Sequence, residues 1–219
     1  MHRYFSPLLL ALMICSSSCR DSSTYYGVVQ ESPLSGLNLL EDYQPRDTTG
    51  LVNAVIEIPA GTVDKWELNK TNGQLEWELV NGVPRVVQYI GYPGNYGMIP
   101  QTLLDKANGG DGDPLDILVL GPPAERGAVL KCKIIGVLYL SDRGEQDDKL
   151  IAVAKDSPLY EVDSIAQLNA NYQGITDIIT LWFTNYKGPD QVVSTGYGDK
   201  SEAEKILQAA ISQYTTANK

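Results

Sequence analysis

The stretch DKWELNKTNGQLEWELVNGVPRVVQYI, residues 64–90, reads as three short strands joined by two Asn-Gly turns, Asn72-Gly73 and Asn81-Gly82. Asn-Gly between β-like runs is the strongest short-range hairpin signal, because both residues accept positive φ. The chain on either side keeps this character. LVNAVIEIP (51–59) reads as a buried strand ending at Pro59. LDILVLG (115–121), VLKCKIIGVLYL (129–140) and KLIAVAK (149–155) are further apolar runs of strand length. Several short strands, mostly antiparallel by their connections, predict a small barrel rather than an open α/β sheet. The last third is helical. Ser164 with Gln167 predicts a capping box, and Ile175, Ile178, Ile179, Trp182, Phe183 and Tyr186 recur at helical spacing. Ser201 with Glu204 predicts the cap of a final helix, whose stripe is Ala203, Ile206, Leu207, Ala210, Ile211 and Tyr214. Strands first and helices after make the fold α+β.

Within this pattern GGDGDPLDILVLG, residues 109–121, stands out. Asp111, Asp113 and Asp116 lie directly ahead of the apolar run Ile117 to Leu120. Two carboxylates ~4 Å apart repel by roughly 4 kcal/mol at a near-surface dielectric, so something must offset the charge. In an extended chain Asp111 and Asp113 share a face and Asp116 takes the other. Pro114 restricts Asp113 and predicts a bend that brings Asp116 round. Three oxygen donors on one loop then suit a hard divalent cation, and magnesium best, since neither nitrogen nor sulfur ligands are at hand. A calcium EF-hand counted from Asp111 needs Gly sixth and Glu twelfth; Asp116 and Pro122 stand there. A solvated acidic turn is the competing reading, and Asp116, set against the apolar run, weighs against it.

A second acidic segment, SDRGEQDDKLIAV, carries Asp142, Asp147 and Asp148 before Lys149. Facing the first across a barrel mouth, it completes a site for two or more cations, the arrangement that serves phosphoryl chemistry. Cationic and hydroxyl partners for phosphate oxygens are Lys65, Arg85, Tyr96, Tyr186 and Lys187. Each alone is weak, and Tyr186 also fits the apolar stripe of its helix.

The N-terminus MHRYFSPLLLALMICSSSCR has a weakly basic start, an apolar run too short to span a bilayer, and small residues before Cys19. This predicts a lipoprotein-type signal peptide over 1–18 with Cys19 lipidated, Cys15 being a weaker candidate. An ordinary secretory peptide is the alternative. Polar residues 19–48 are expected to form a tether or N-terminal extension, and 49–219 the folded domain. Localisation is then exported, periplasmic or membrane-anchored. Removing 1–18 takes away His2, the only histidine. That excludes Ser-His-Asp and Cys-His nucleophile pairs and His-ligated zinc. Cys132, inside a strand-like run, reads as a core residue. With 17 Lys+Arg against 27 Asp+Glu, the overall field favours cations and not nucleic acid.

These residues in this order resemble the soluble, magnesium-dependent inorganic pyrophosphatases. DGDPLDIL matches that family's signature. Around it stand VIEIP (Glu57), KWE (Lys65, Glu67), Arg85, NYG followed by IPQT (Tyr96), GVLYLSD (Asp142), DDK (Asp147, Lys149) and NYK (Tyr186, Lys187). The resemblance covers about residues 51 to 190 and implies an OB-like five-stranded β-barrel with flanking C-terminal helices. It implies two to four Mg²⁺ ions. Asp111, Asp116 and Asp147 would hold the first, Asp116 would reach the second, and Asp142 and Asp147 would hold a third. Asp113 would be the general base. Lys65, Arg85, Tyr96, Lys149, Tyr186 and Lys187 would grip the two phosphates, while Glu57 and Glu67 shape the site. In-line attack by hydroxide shared between two ions would release two orthophosphates without a covalent intermediate. The family resemblance further implies a homo-oligomer, hexamer or dimer.

Three features depart from the family. Its members are usually cytoplasmic, and the N-terminus of this chain predicts export. Beyond Tyr186-Lys187 the chain reads GPDQVVSTGYGD, where the family often has a Lys-Trp pair. Arg85 sits on a hairpin of variable length. Two alternatives stay open: hydrolysis of another phosphoanhydride, tripolyphosphate or a nucleotide, and a non-catalytic OB-type lipoprotein that binds cations or glycans.

Overall fold

Five strands close on one another to form the centre of the molecule. The computed structural model describes residues 36–218, so the expected signal peptide and Cys19 lie outside the described residues. The strands run β1 (Val52–Ile58), β2 (Trp66–Asn69), β3 (Gln74–Trp77), β4 (Leu79–Val80), β5 (Val83–Pro84), β6 (Asn95–Met98), β7 (Asp116–Leu120), β8 (Val129–Asp142), β9 (Glu145–Gln146), β10 (Lys149–Ala154) and β11 (Val192–Gly198). The helices are α1 (Ile165–Asn171), α2 (Ile175–Asn185) and α3 (Lys200–Ala217). Order β1-β6-β7-β10-β8, with β8 pairing back to β1, makes a closed five-stranded barrel. Strands β9 and β11 extend the sheet from β8. All pairings are antiparallel except β7 with β10. The fourteen-residue β8 makes closure possible: its first part pairs with β1, and its last part with β9 and β11.

Strands β1, β7, β8 and β10 read as near-continuous apolar runs because both faces are covered. On one face Ile117, Val119, Leu150, Ala152 and Ile134 pack against Ala203, Leu207 and Ala210 of α3. On the other, Leu118, Ile151, Val153 and Leu138 pack against Leu168 of α1 and Ile179, Trp182 and Phe183 of α2. Cys132 is fully buried in the first cluster, its thiol pushed up to about 12 by burial.

Several local expectations need correction. The Asn-Gly hairpins are real, but they lie off the barrel as separate two-stranded ribbons, β2-β3 and β4-β5. Asn81 and Gly82 both take positive φ, as a two-residue turn requires; at the other turn Gly73 does and Asn72 does not. The final helix is capped by Asp199 and Glu202 in a reciprocal capping box, not by Ser201 and Glu204. Glu204 instead pairs with Arg46. Ser164 does cap α1, but the Gln167 side chain accepts from Asp163 N–H, one residue further out. Ile178 is exposed rather than part of the buried stripe of α2. The end of the expected tether or N-terminal extension, residues 36–48, needs no such correction and lies against the domain: Leu39 packs with Val55, Leu75 and Met98.

Candidate active site

The parallel pair β7–β10 brings the two acidic segments together. Register sets Leu150 opposite Ile117, so Lys149 and Asp116 begin neighbouring strands at the same end of the barrel. Strand β8 runs antiparallel to β10 and therefore delivers Asp142 to that end too. The bend in the first segment comes at Gly112, with φ of +86°, and Asp113, just ahead of Pro114. There Asp113 N–H donates to Asp111 Oδ1 at 2.9 Å. Asp148 faces away: its carboxylate is buried and accepts from Leu140 N–H at 3.0 Å and the Gln146 amide at 2.6 Å.

The two hairpins supply Lys65, Glu67 and Arg85 to the same site. Three backbone bonds knit their bases: Lys65 N–H to Arg85 O (3.1 Å), Glu78 N–H to Lys65 O (2.9 Å) and Arg85 N–H to Glu78 O (2.8 Å). Lys65 and Arg85 are thereby held side by side, though twenty residues apart in the chain. Helix α2 ends at Tyr186, whose ring stacks on Trp182 with centroids 4.5 Å apart, and Lys187 follows. Tyr186 thus serves both the apolar cluster and the site.

All of these residues line one cavity of about 250 Å³: Glu57, Lys65, Glu67, Arg85, Tyr96, Asp111, Asp113, Asp116, Asp142, Asp147, Lys149, Tyr186 and Lys187. Leu68, Met98, Pro114, Glu145 and Gln146 complete the lining. The volume lies below the ~300 Å³ at which pockets begin to hold drug-sized ligands, which suits a small, highly charged one. Sequence reading passed over Tyr92, whose buried phenol interacts electrostatically with Tyr186, Asp116 and Lys149. Its position four residues before Tyr96, in YPGNY, was the available signal. Lys70 carries no sequence signal.

The site lacks positive charge. Burial pushes Asp111 above the usual carboxylate range, and the charges of Asp113 and Asp116 add to the rise. Burial raises Asp147 as well, against the pull of Lys149. Glu57, 6 % exposed, is pushed up to about 8 by burial, with Asp116 and Glu67 adding to the shift and Lys65 and Leu68 N–H opposing it. Burial works against the Lys149 ammonium, yet Asp116 and Asp147 hold it charged well above its ordinary value. The same balance holds for Lys65, with Glu67 2.6 Å away, and Glu57 and Asp116 nearby. Lysines occupy the gaps between carboxylates: Lys149 bridges Asp116 and Asp147, Lys187 pairs with Asp142 at 2.6 Å, and Lys70 pairs with Asp113.

As a result, no three acidic side chains among the described residues are gathered closely enough to cage a metal ion as they stand. Their chemistry nonetheless fits a hard divalent cation. The donors are all oxygens. Asp142 Oδ1 is buried and accepts no hydrogen bond among the described residues. Asp111 and Asp147 resist ionisation where they are, so added positive charge would be favoured.

Known proteins share this arrangement. The family model for inorganic pyrophosphatase matches residues 54–215. The inorganic pyrophosphatase of Campylobacter jejuni is 37% identical over 172 residues, spanning 77% of this chain and 94% of that protein. Soluble inorganic pyrophosphatase 2 of Chlamydomonas reinhardtii is 36% identical over 181 residues, spanning 77% of this chain and 83% of its own. Among solved structures, the Helicobacter pylori pyrophosphatase superposes with a TM-score of 0.68 at 33% identity, covering 80% of this chain and 99% of that one. A truncated vacuolar soluble pyrophosphatase of Trypanosoma cruzi, solved in complex with PPi, gives 0.73 at 26% identity over 86% and 80%. The matched span takes in the barrel from the third residue of β1 onward and every side chain around the cavity, from Glu57 to Lys187, and on that basis the chain belongs to the inorganic pyrophosphatase family.

Proposed function

We propose that this chain hydrolyses inorganic pyrophosphate to two orthophosphates, with Mg²⁺ as its cofactor. One observation carries the reading: two acidic strand entries, side by side on the parallel pair, line a single small cavity together with Lys65, Arg85, Tyr96 and Lys187. Asp111, Asp116, Asp142 and Asp147 would hold two to four ions. Bound there, Mg²⁺ would acidify water and neutralise charge on the phosphate oxygens. Asp113, at the open side of the acidic loop, takes the proton of the attacking water. Lys65, Arg85, Lys149 and Lys187 bind phosphate oxygens, and the buried Tyr96 and the stacked Tyr186 donate from fixed positions. Glu57 shapes the floor through its bond to Leu68 N–H, and Glu67 orients Lys65. Such positioning leaves no need for a nucleophilic side chain, consistent with a site that holds neither Cys nor His.

Phosphate release from pyrophosphate, tripolyphosphate and ATP, with magnesium and with chelator, tests the assignment. Release from pyrophosphate alone, abolished by chelator, is expected. Preference for ATP or tripolyphosphate would overturn the substrate, and indifference to chelator would overturn the metal. Asp113→Asn should lower kcat on the order of 100-fold or more while magnesium binding persists; a pure cation-binding protein would have no such activity to lose.

We propose in addition that the protein is exported and anchored through lipidated Cys19. The support is the sequence of residues 1–19; among the described residues no helix is long and apolar enough to cross a membrane. Incorporation of labelled palmitate that is lost in Cys19→Ala tests it. The family resemblance supports a homo-oligomer, hexamer or dimer, which light scattering distinguishes.

A further inference from the structure

Lys70 reaches the acidic loop from the turn between β2 and β3. Its ammonium donates to Gly112 O at 2.9 Å and to the Asp113 carboxylate through Oδ1, across forty-three positions of sequence. Nothing in the charge pattern marks this lysine, which sits five residues after Lys65. The loop it grips has its own internal ties: Leu104 N–H donates to Asp113 O and Gly112 N–H to Leu104 O, both at 2.8 Å. Those bonds fix the backbone on one side. They leave the Asp113 side chain, 55% exposed, with its rotamer undetermined. Lys70 supplies the missing restraint, holding Oδ1 of a carboxylate that lines the cavity.

The turn that presents Lys70 is itself held. Thr71 N–H donates to Asn69 Oδ1 at 2.9 Å, Leu39 N–H donates to Gly73 O at 2.9 Å, and the Gln74 amide donates to Leu37 O at 2.6 Å. A Cβ on Gly73, whose φ is +68°, would fall 2.0 Å from Asn38 Oδ1. Residues 37–39 therefore brace the Lys70 turn, and that turn braces Asp113.

We propose that Lys70 is a positioning residue for Asp113: it fixes which carboxylate oxygen faces the attacking water. The proposal rests on the general-base reading above. An ammonium on a four-carbon stem can do this at a half-exposed site, where the pair itself adds little stability. Misplacing a catalytic group by about 1 Å costs up to the order of 100-fold in rate.

The test is steady-state kinetics of the full chain on magnesium pyrophosphate, with calorimetric Mg²⁺ titration and Tm, for wild type, Lys70→Met and Lys70→Arg. Expected for Lys70→Met is kcat down on the order of 10-fold, with KM, Mg²⁺ affinity and Tm close to wild type. Lys70→Arg should recover most of the rate. Wild-type kcat in Lys70→Met overturns the proposal. So does a rate loss accompanied by a tenfold loss of Mg²⁺ affinity or a lowered Tm, which would make Lys70 part of the metal site or of the scaffold. A wild-type protein inactive on pyrophosphate brings down the assigned function and this proposal with it.

Discussion

Glu57 is a carboxyl group walled in by the barrel and by two other acids. Its proton leaves only near pH 8 in the folded chain, against 4.5 for the ordinary group, because burial disfavours the charge. Between those values the folded state binds a proton that the unfolded state does not. The group's contribution to stability is thus full below about 4.5 and lost as pH rises through 8. Each pH unit of that window corresponds to about 1.4 kcal/mol. In chelator, the wild-type Tm should therefore fall between pH 5 and 8.5, and Glu57→Gln, which keeps the acceptor for Leu68 N–H but cannot ionise, should flatten the fall. Parallel wild-type and variant curves would refute this account of Glu57. The same electrostatic shortage gives Lys149 its place: removing one partner of a buried pair costs roughly 3–5 kcal/mol, so Asp116 and Asp147 need either that ammonium or another cation.

Among the elements, β6 shows how little slack the barrel has. Gly97 pairs with Ile56 of β1, and a Cβ on it would lie 1.8 Å from Val55 O. Any side chain must push β1 and β6 apart, and this pair carries Glu57 and Tyr96 into the site. Gly97→Ala should cost about 1–3 kcal/mol by overpacking, a Tm drop of ~3–10 °C, and should lower pyrophosphate turnover as well. Differential scanning fluorimetry and a phosphate assay check both; an unchanged Tm would mean the strands are not so close. Strand β6 was also the barrel strand that sequence reading missed. NYGM is short and has no alternation, so nothing in its pattern marks a strand. Strand β11 is hard to read for a related reason: VVSTGYG is broken by Gly196, and its pairing with β8 shifts register between Ser194 and Gly196. By contrast β1, β7, β8 and β10 were legible, since burial on both faces leaves continuous apolar runs. The acidic loops were legible through spacing and the adjoining apolar run. Lys70 was not, because only the folded turn points a surface lysine at Asp113.

At the scale of the whole molecule, charge and fold are in tension. A chain of formal charge −10 concentrates Asp111, Asp113, Asp116, Asp142, Asp147, Glu57 and Glu67 around one cavity, with four lysines and one arginine to meet them. The barrel tolerates this in the metal-free state by using Lys149, Lys187 and Lys70 as internal counter-ions. On the proposed reading, added cations would bind the folded state, where the carboxylates line one cavity, far better than the unfolded chain, where they are dispersed. Ligand linkage then requires magnesium to stabilise the fold, by about 2.7 kcal/mol at a hundredfold excess over Kd. For a domain of this size that is a Tm rise of roughly 5–10 °C. The rise should be reversed by chelator and should saturate with magnesium; equal concentrations of sodium, matched for ionic strength, should not reproduce it. Lys149→Met sharpens the test, because it removes the counter-ion between Asp116 and Asp147. Its metal-free form should melt lower than wild type, and magnesium should raise its Tm by more than it raises that of wild type. A magnesium-independent Tm in both proteins would show that the carboxylates are balanced by the chain's own lysines, and the cation-dependent reading of the cavity would fall.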